Sequence, residues 1–184
     1  MKHLFQALAD FVKSMHDEEP KPPLHIGEVM NCWVYLTVLE EAIMLELTCL
    51  NHTVDPELKE NVGKSMNGAV SQSRRLKDFL QREGVPLPPV SEPKPQSDPN
   101  AVPLGAKFTD DEIANLVSVK LASAVTFCAA SASQSIRNDV GKMFMEFQEE
   151  AMIYGILMKT LMRKRGWLKI PPYFMPPGAP NPAG

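Results

Sequence analysis

From Ile26 to Asn51 apolar side chains recur at steps of three and four, with Val29, Trp33, Leu36, Ile43, Leu47 and Leu50 on one stripe. That spacing predicts a helix with a buried face. The opposite side, with Val34, Val38 and Leu45, is apolar as well. Burial on more than one face is therefore expected, as at the centre of a bundle or in a dimer interface. Pro20, Pro22 and Pro23 bar an earlier start. After the short joint Asn51-His52-Thr53-Val54, Asp55 and Pro56 open a second helix as N-cap and first helical residue. Leu58, Val62, Met66, Ala69, Leu76 and Leu80 carry its stripe, and Gly84 is its stop. So short a joint makes the two helices antiparallel neighbours.

The period breaks from Val85 to Lys107, where Pro86, Pro88, Pro89, Pro93, Pro95, Pro99 and Pro103 exclude both helix and central strand. These roughly 23 residues are long for a structureless loop. At roughly 3 Å per residue they can run the length of a bundle about 40 Å tall. A long crossover is expected, with a disordered linker between two helical hairpins as the alternative. The third helix starts at Thr109, whose partner three residues on is Glu112, the capping-box spacing. Ile113, Leu116, Val117, Leu121, Ala124, Val125, Phe127 and Cys128 form its stripe, followed by an Ala- and Ser-rich stretch. The fourth helix spans about Asn138 to Arg165, with Val140, Phe144, Phe147, Ala151, Tyr154, Met158 and Leu161 inward and Gly166 as cap.

Two helical hairpins joined by one long crossover predict an all-α, ferritin-like four-helix bundle over residues 20–172, with its first and fourth helices parallel. Residues 1–19 are expected to form a short amphipathic helix docked on the bundle, with Leu4, Phe5, Leu8, Phe11, Val12 and Met15 at helical spacing. Residues 173–184 are a Pro- and Gly-rich tail expected to be disordered.

The chain has 184 residues, 44% hydrophobic and 22% charged, enough for one domain with a sizeable core. A formal net charge of −3 argues against nucleic-acid binding. The basic clusters Arg74-Arg75 and Arg163-Lys164-Arg165 fall late in helices, where cations complement the dipole. The N-terminus does not read as a signal peptide, because Lys2, Asp10 and Lys13 interrupt it. Glu40, Glu41 and Glu46 interrupt the apolar run from Val29 to Leu50, which argues against a membrane span. The expectation is a protein made and kept in the cytoplasm. Cys32, Cys49 and Cys128 lie in apolar helical settings and read as reduced, buried thiols.

A ferritin-type di-iron centre needs inward carboxylates from four helices, with Glu-x-x-His pairs on two of them. From Ile113 to Ile136 the third helix has no Asp, Glu or His. Other titratable groups gather by height in the bundle. His25, Glu28 and Asp139, with Arg137 nearby, fall at one end and could bind iron, manganese or zinc; the alternative is that they serve helix N-termini and pair with Arg137. His52 and Asp55 flank the turn between the first two helices, as a polar turn residue and a cap. Mid-bundle, Glu40 with Glu149 could make half of a di-metal site, but Ile43 and Met152 stand where a histidine would be needed. A solvated Glu40 head on a packed stem is the simpler reading. Met143, Met145, Met152, Met158 and Met162 read as core filler. The chain has no phosphate-binding glycine loop and no nucleophile elbow.

Several segments in order resemble one family. They are Pro-Leu-His-Ile-Gly-Glu-Val at 23–29 with Trp33, Asn51-His52-Thr53-Val54-Asp55, Gly-Val-Pro-Leu-Pro-Pro at 84–89, Phe-Thr-Asp-Asp-Glu-Ile at 108–113, Ser133 to Phe144, and Gly-Trp-Leu-Lys-Ile-Pro-Pro at 166–172. Together they are similar to a bacterial domain-of-unknown-function family of endospore formers, related to spore coat protein F. The resemblance covers residues 20–172 and implies a ferritin-like bundle and a spore coat or sporulation-associated structural protein without catalytic activity or cofactor. It brings no catalytic role to His25, Glu28, His52, Asp55 or Asp139. Its members often carry two such domains in tandem, and the single copy here implies a homodimer in their place. The expected partners are thus a second copy, through apolar helix faces, and other coat proteins. Assembly onto the spore coat would follow synthesis in the cytoplasm. The alternative function is a ferritin-like metal-binding oxidoreductase or metal-storage protein using His25, Glu28 and Asp139.

Overall fold

Three of the four helices begin on a side chain that supplies the acceptor their first turn lacks. The structure, a computed structural model, describes residues 21–172, 174 and 176. The expected helix over 1–19 lies outside the described residues, as does the tail from 173 onward apart from 174 and 176. Helix α1 spans Ile26–Leu50 with His25 as N-cap, and α2 spans Pro56–Arg82 with Asp55 as N-cap and Pro56 in its first turn. Helix α3 spans Asp110–Gln134, where Thr109 and Glu112 close the expected capping box. Helix α4, Asn138–Arg165, has no side-chain cap of its own. The two amides just ahead of it, Ile136 N–H and Arg137 N–H, donate to Glu28 of α1 instead, both at 2.8 Å. Gly166 ends α4 at φ 75°, in the left-handed region that glycine adopts without strain, and Trp167 N–H returns to the Met162 carbonyl at 2.9 Å.

Residues 85–107 form the crossover, and it lies along α1. Trp33 Nε1 donates to the Pro86 carbonyl at 3.1 Å near its start. Asn51, at the far end of α1, donates to the Pro95 carbonyl and accepts from Ser97 N–H, both at 3.0 Å. One short 3-10 turn interrupts it at Pro99–Ala101, capped by Asp98. Just past its end, Phe108 donates N–H to His52 Nδ1 at 3.1 Å. The chain is thereby delivered to the end where α1 finishes, so α3 runs antiparallel to α1, and α4 runs parallel to it. Helix α1 packs on α2 and α3, and α4 packs on α3 and α2, which closes a four-cornered, strand-free bundle among the described residues.

The buried face of α1 differs from the predicted stripe. Cys32, Tyr35, Leu36, Leu39, Ala42 and Cys49 are inside, together with Glu28, Glu40 and Glu46, while Val29, Trp33, Ile43, Leu47 and Leu50 are half-buried. A helix apolar on every side gives its period little power to point inward, and polar partners on other helices decide the matter. Helix α4 buries Val140, Phe144, Phe147, Ala151, Met158, Leu161 and Met162, largely as expected. Met145 and Met152 are corrections, since both lie on its outer face, each 48% exposed. Helix α3, rather than α1, is long and apolar enough by length and composition to cross a membrane. Here Ile113, Val117, Leu121 and Cys128 turn that apolar surface into the core of the bundle.

Candidate functional site

Two levels of the bundle hold buried polar groups. At the end where α1 and α4 begin, the sequence places His25, Glu28, Arg137 and Asp139, and the structure gathers all four. His25 caps α1, with Nδ1 accepting from Gly27 N–H at 3.0 Å. Glu28 is 2% exposed. Its Oε2 accepts the His25 N–H at 3.2 Å, completing a capping box, and its Oε1 takes the two amides ahead of α4. His25 Nε2 stands 3.8 Å from Glu28 Oε2. Arg137, 3% exposed, is the hub: Nε and Nη2 fork onto Asp139 at 3.0 and 2.8 Å. Nη1 and Nη2 fork onto Glu83 at the end of α2, both at 2.8 Å, and Nη1 also reaches the Pro22 carbonyl. Lys21 adds a second cation 3.1 Å from Asp139. Burial pushes the Asp139 carboxyl up, but Arg137 and Lys21 outweigh it and hold the group down at about 2. Asp139 and Glu83 in turn hold the Arg137 proton more tightly than usual.

The oxygens of Glu28 and Asp139 are thus committed to amides and cations. A positive guanidinium occupies the centre of the cluster, which is where a metal ion would have to sit. Among the described residues no three His, Cys, Asp or Glu side chains group closely enough to hold a metal ion.

In the middle of the bundle, where the sequence offered Glu40 with Glu149, the buried groups are different ones. Glu46, fully buried, accepts from Ser65 Oγ of α2 at 2.6 Å and from Lys120 Nζ of α3 at 3.0 Å, both on Oε1. Its Oε2 has no hydrogen-bond partner. Burial pushes the Glu46 carboxyl up, and Lys120 and Ser65 pull it back without offsetting that. Glu40, on the α2 side of the same helix, is held by Ser73 Oγ and by Lys77 Nζ at 2.6 Å. The expected solvated head of Glu40 is therefore a buried, paired one. Glu149 lies exposed on the outside of α4, so the suggested Glu40–Glu149 pair is not formed. Tyr35 OH donates to Gln72 at 2.8 Å, and Gln72 Nε2 passes the chain on to Glu150 at 2.8 Å and Arg75 beyond it. A cavity of about 20 Å³ beside Tyr35, Ser65, Gln72, Lys120 and Tyr154 has room for one water-sized group.

This is the level at which a ferritin-like bundle would carry its di-iron centre. The donors here do not fit one. Helix α3 contributes an ammonium, α2 contributes Ser65 and Gln72, and no Glu is followed by His at the third place. Lys120 supplies from the protein itself the positive charge a metal would bring.

At the opposite end His52 and Asp55 serve separate tasks. His52 Nδ1 anchors the end of the crossover, and its ring lies 5.2 Å from that of Phe108. Asp55 Oδ1 caps α2 through Leu58 N–H, while Oδ2 accepts from Arg165 Nε at 2.8 Å. That hydrogen bond is the main reason its carboxyl is held below the usual range. The three cysteines are free and buried, and burial pushes Cys32 up to about 12 and Cys49 and Cys128 to about 11, which leaves the thiols inert. The missed groups, Lys120 and Glu46, carried one signal in the sequence: each is a lone charge within a long apolar stripe.

Comparison with known proteins agrees with this architecture. The family described as protein of unknown function (DUF3231) matches residues 13–179. The uncharacterized protein YvdQ of Bacillus subtilis is 31% identical over 150 residues, 82% of this chain and 88% of that protein. The crystal structure of a "putative spore coat protein" from Bacillus halodurans superposes with a TM-score of 0.82 at 33% identity, covering 84% of this chain and 98% of that one. A two-domain protein of Anabaena variabilis with a ferritin-like domain shares the fold at a TM-score of 0.61 and 13% identity, over 83% of this chain and 41% of that one.

Proposed function

Given that the chain belongs to the DUF3231 family, we propose that it is a structural protein of the spore coat with no catalytic role. The observation that carries this reading is Lys120, paired with Glu46 in the middle of the bundle, where enzymes of this fold class gather metal-binding carboxylates. Every buried carboxylate on α1 is matched by a cation, a hydroxyl or backbone amides of the same chain, so the charges hold helices together rather than wait for a substrate. The cavity beside Ser65 and Lys120 has room for no more than a water-sized group. The similarity to the Bacillus halodurans protein supports the location, with synthesis in the cytoplasm followed by assembly onto the coat alongside other coat proteins.

Two measurements test the reading. Elemental analysis of the untagged protein from metal-supplemented medium should give iron, manganese and zinc far below one per chain. A fluorescent fusion of the full chain in a sporulating Bacillus should form a ring around the spore. Metal near one per chain that is lost in His25→Ala, or fluorescence that stays diffuse through sporulation, overturns it.

A further inference from the structure

The outer face of α4 carries an apolar surface that the bundle does not use. Met145, Met152, Ile153, Ile156 and Leu157 are 48%, 48%, 50%, 60% and 41% exposed. Met145, Glu149, Met152 and Ile156 follow one another at steps of four, three and four and so form a single stripe. With Lys142, Gln148 and Ile153 they border a shallow groove of about 560 Å³. A contiguous apolar patch on a soluble bundle marks a contact surface.

Lys142 opens this stripe, and between Met145 and Arg163 its charges are sorted by position. Glu149 lies in its first half, and Lys159 and Arg163 lie in its second. All three are exposed, and none makes an ion pair among the described residues. The neighbouring cations behave differently: Lys164 and Arg165 are bound to Glu57 and Asp55. Over the stretch from Met145 to Arg163 the face is acidic early and basic late, and that stretch is complementary to itself run backwards. When two copies pair antiparallel about residue 154, Met152 of each meets Ile156 of the other. The same register sets Glu149 against Lys159, and the stem of Arg163 covers Met145. A two-fold interface needs such self-complementarity, because the same patch must serve on both sides.

We infer that the outer face of α4 is a homodimer interface in which two antiparallel α4 helices bury Met152 and Ile156 between reciprocal Glu149–Lys159 pairs. The inference concerns assembly alone and stands independently of the location and non-catalytic role proposed above. It fixes the orientation of the copies, because the antiparallel arrangement sets Glu149 of each against Lys159 of the other. A parallel pairing would set Glu149 on Glu149 and Lys159 on Lys159 and is disfavoured.

Sedimentation equilibrium of the full chain tests it. The wild type should be a dimer at high micromolar concentration. Ile156→Asp should raise the dissociation constant by about 100-fold or more with the helical circular dichroism unchanged, since this side chain already faces solvent. Glu149→Lys and Lys159→Glu should each raise it by roughly tenfold, and the double exchange Glu149→Lys with Lys159→Glu should return it to near the wild-type value. A wild-type monomer overturns the inference, including one whose α4 face is covered by another part of the chain. So does a dimer that survives Ile156→Asp, or a charge exchange that fails to restore association.

Discussion

About five turns apart on the same face of α1, Glu28 and Glu46 are both withdrawn from solvent, and the protein treats them in opposite ways. Glu28 accepts three backbone amides, one of its own helix and two ahead of α4, and borders the Arg137 hub that ties α2 to α4. Glu46 has a serine and a lysine on one oxygen and no hydrogen-bond partner on the other. At the end of the bundle, charge fixes how three chain segments meet, and apolar groups cannot imitate amide acceptors or a forked guanidinium. In the middle, one ammonium neutralises one carboxylate among side chains that would pack equally well around hydrocarbon. The end is therefore the part that specifies the fold, and the middle is an ion pair buried among apolar groups.

The largest expected effect is at the end. Arg137→Met leaves Asp139 and Glu83 without their forked partner and should cost roughly 3–5 kcal/mol in urea unfolding. A loss below about 1 kcal/mol would show that apolar contacts such as those of Phe79 hold this end without the charges. Next comes the middle. Lys120→Met strands a fully buried carboxylate and should cost about 3 kcal/mol, whereas Lys120→Met with Glu46→Leu should recover most of that. No second substitution can rescue Arg137→Met in the same way, because its partners come from two helices and the lead-in to α1. If the double variant is as unstable as the single one, the contrast between end and middle fails.

Smaller than either is a pair of opposed pH dependences. The Asp139 carboxyl is held at about 2 in the folded protein, below its ordinary 3.8. Its stabilisation is complete above the ordinary value and is lost as pH falls toward 2. Asp139→Asn should therefore be less stable than wild type by about 2 kcal/mol at neutral pH and equal to it near the lower value. Glu46 is raised from its ordinary 4.5, so its charge becomes a burden as pH rises past that value. Relative to wild type, Asp139→Asn should lose stability as pH rises from about 2 to 3.8, and Glu46→Gln should gain it as pH rises past 4.5. Unfolding free energies measured across acid pH give both slopes, and slopes of the same sign would remove the electrostatic half of the comparison.

These two levels also differ in how far the sequence displayed them. Helix starts are local chemistry, so Thr109 with Glu112, Asp55 with Pro56, and Gly166 stood out as caps, and each works as one. The same locality placed His25, Glu28 and Asp139 at one end once the crossover had set α1 and α4 parallel. The middle was hidden because its logic is tertiary. Glu40 and Glu46 looked like marks of exposure, and only Ser73, Lys77, Ser65 and Lys120 on other helices make their burial tolerable. The missing acids of α3 were visible, but the ammonium standing in their place was not. Met145 and Met152 misled for a related reason, since helical spacing identifies a face without saying whether that face meets the bundle core or points away from it.

The smallest effect separates a cap from a ligand at His25. Histidine is an unusual N-cap, yet here its Nδ1 accepts the Gly27 amide as a cap should. A side chain more than a third exposed, with one such bond, is worth about 1 kcal/mol. His25→Ala should lower stability by that amount and leave the Arg137 cluster intact. His25→Asn should recover it, because asparagine is among the best N-caps. A metal ligand would respond in the reverse order: asparagine would restore no binding, and metal content would track imidazole rather than capping ability. Unfolding curves for the two variants beside their metal content give the answer. Recovery by asparagine without any change in metal assigns His25 to the helix, and with it the whole end of the bundle to architecture.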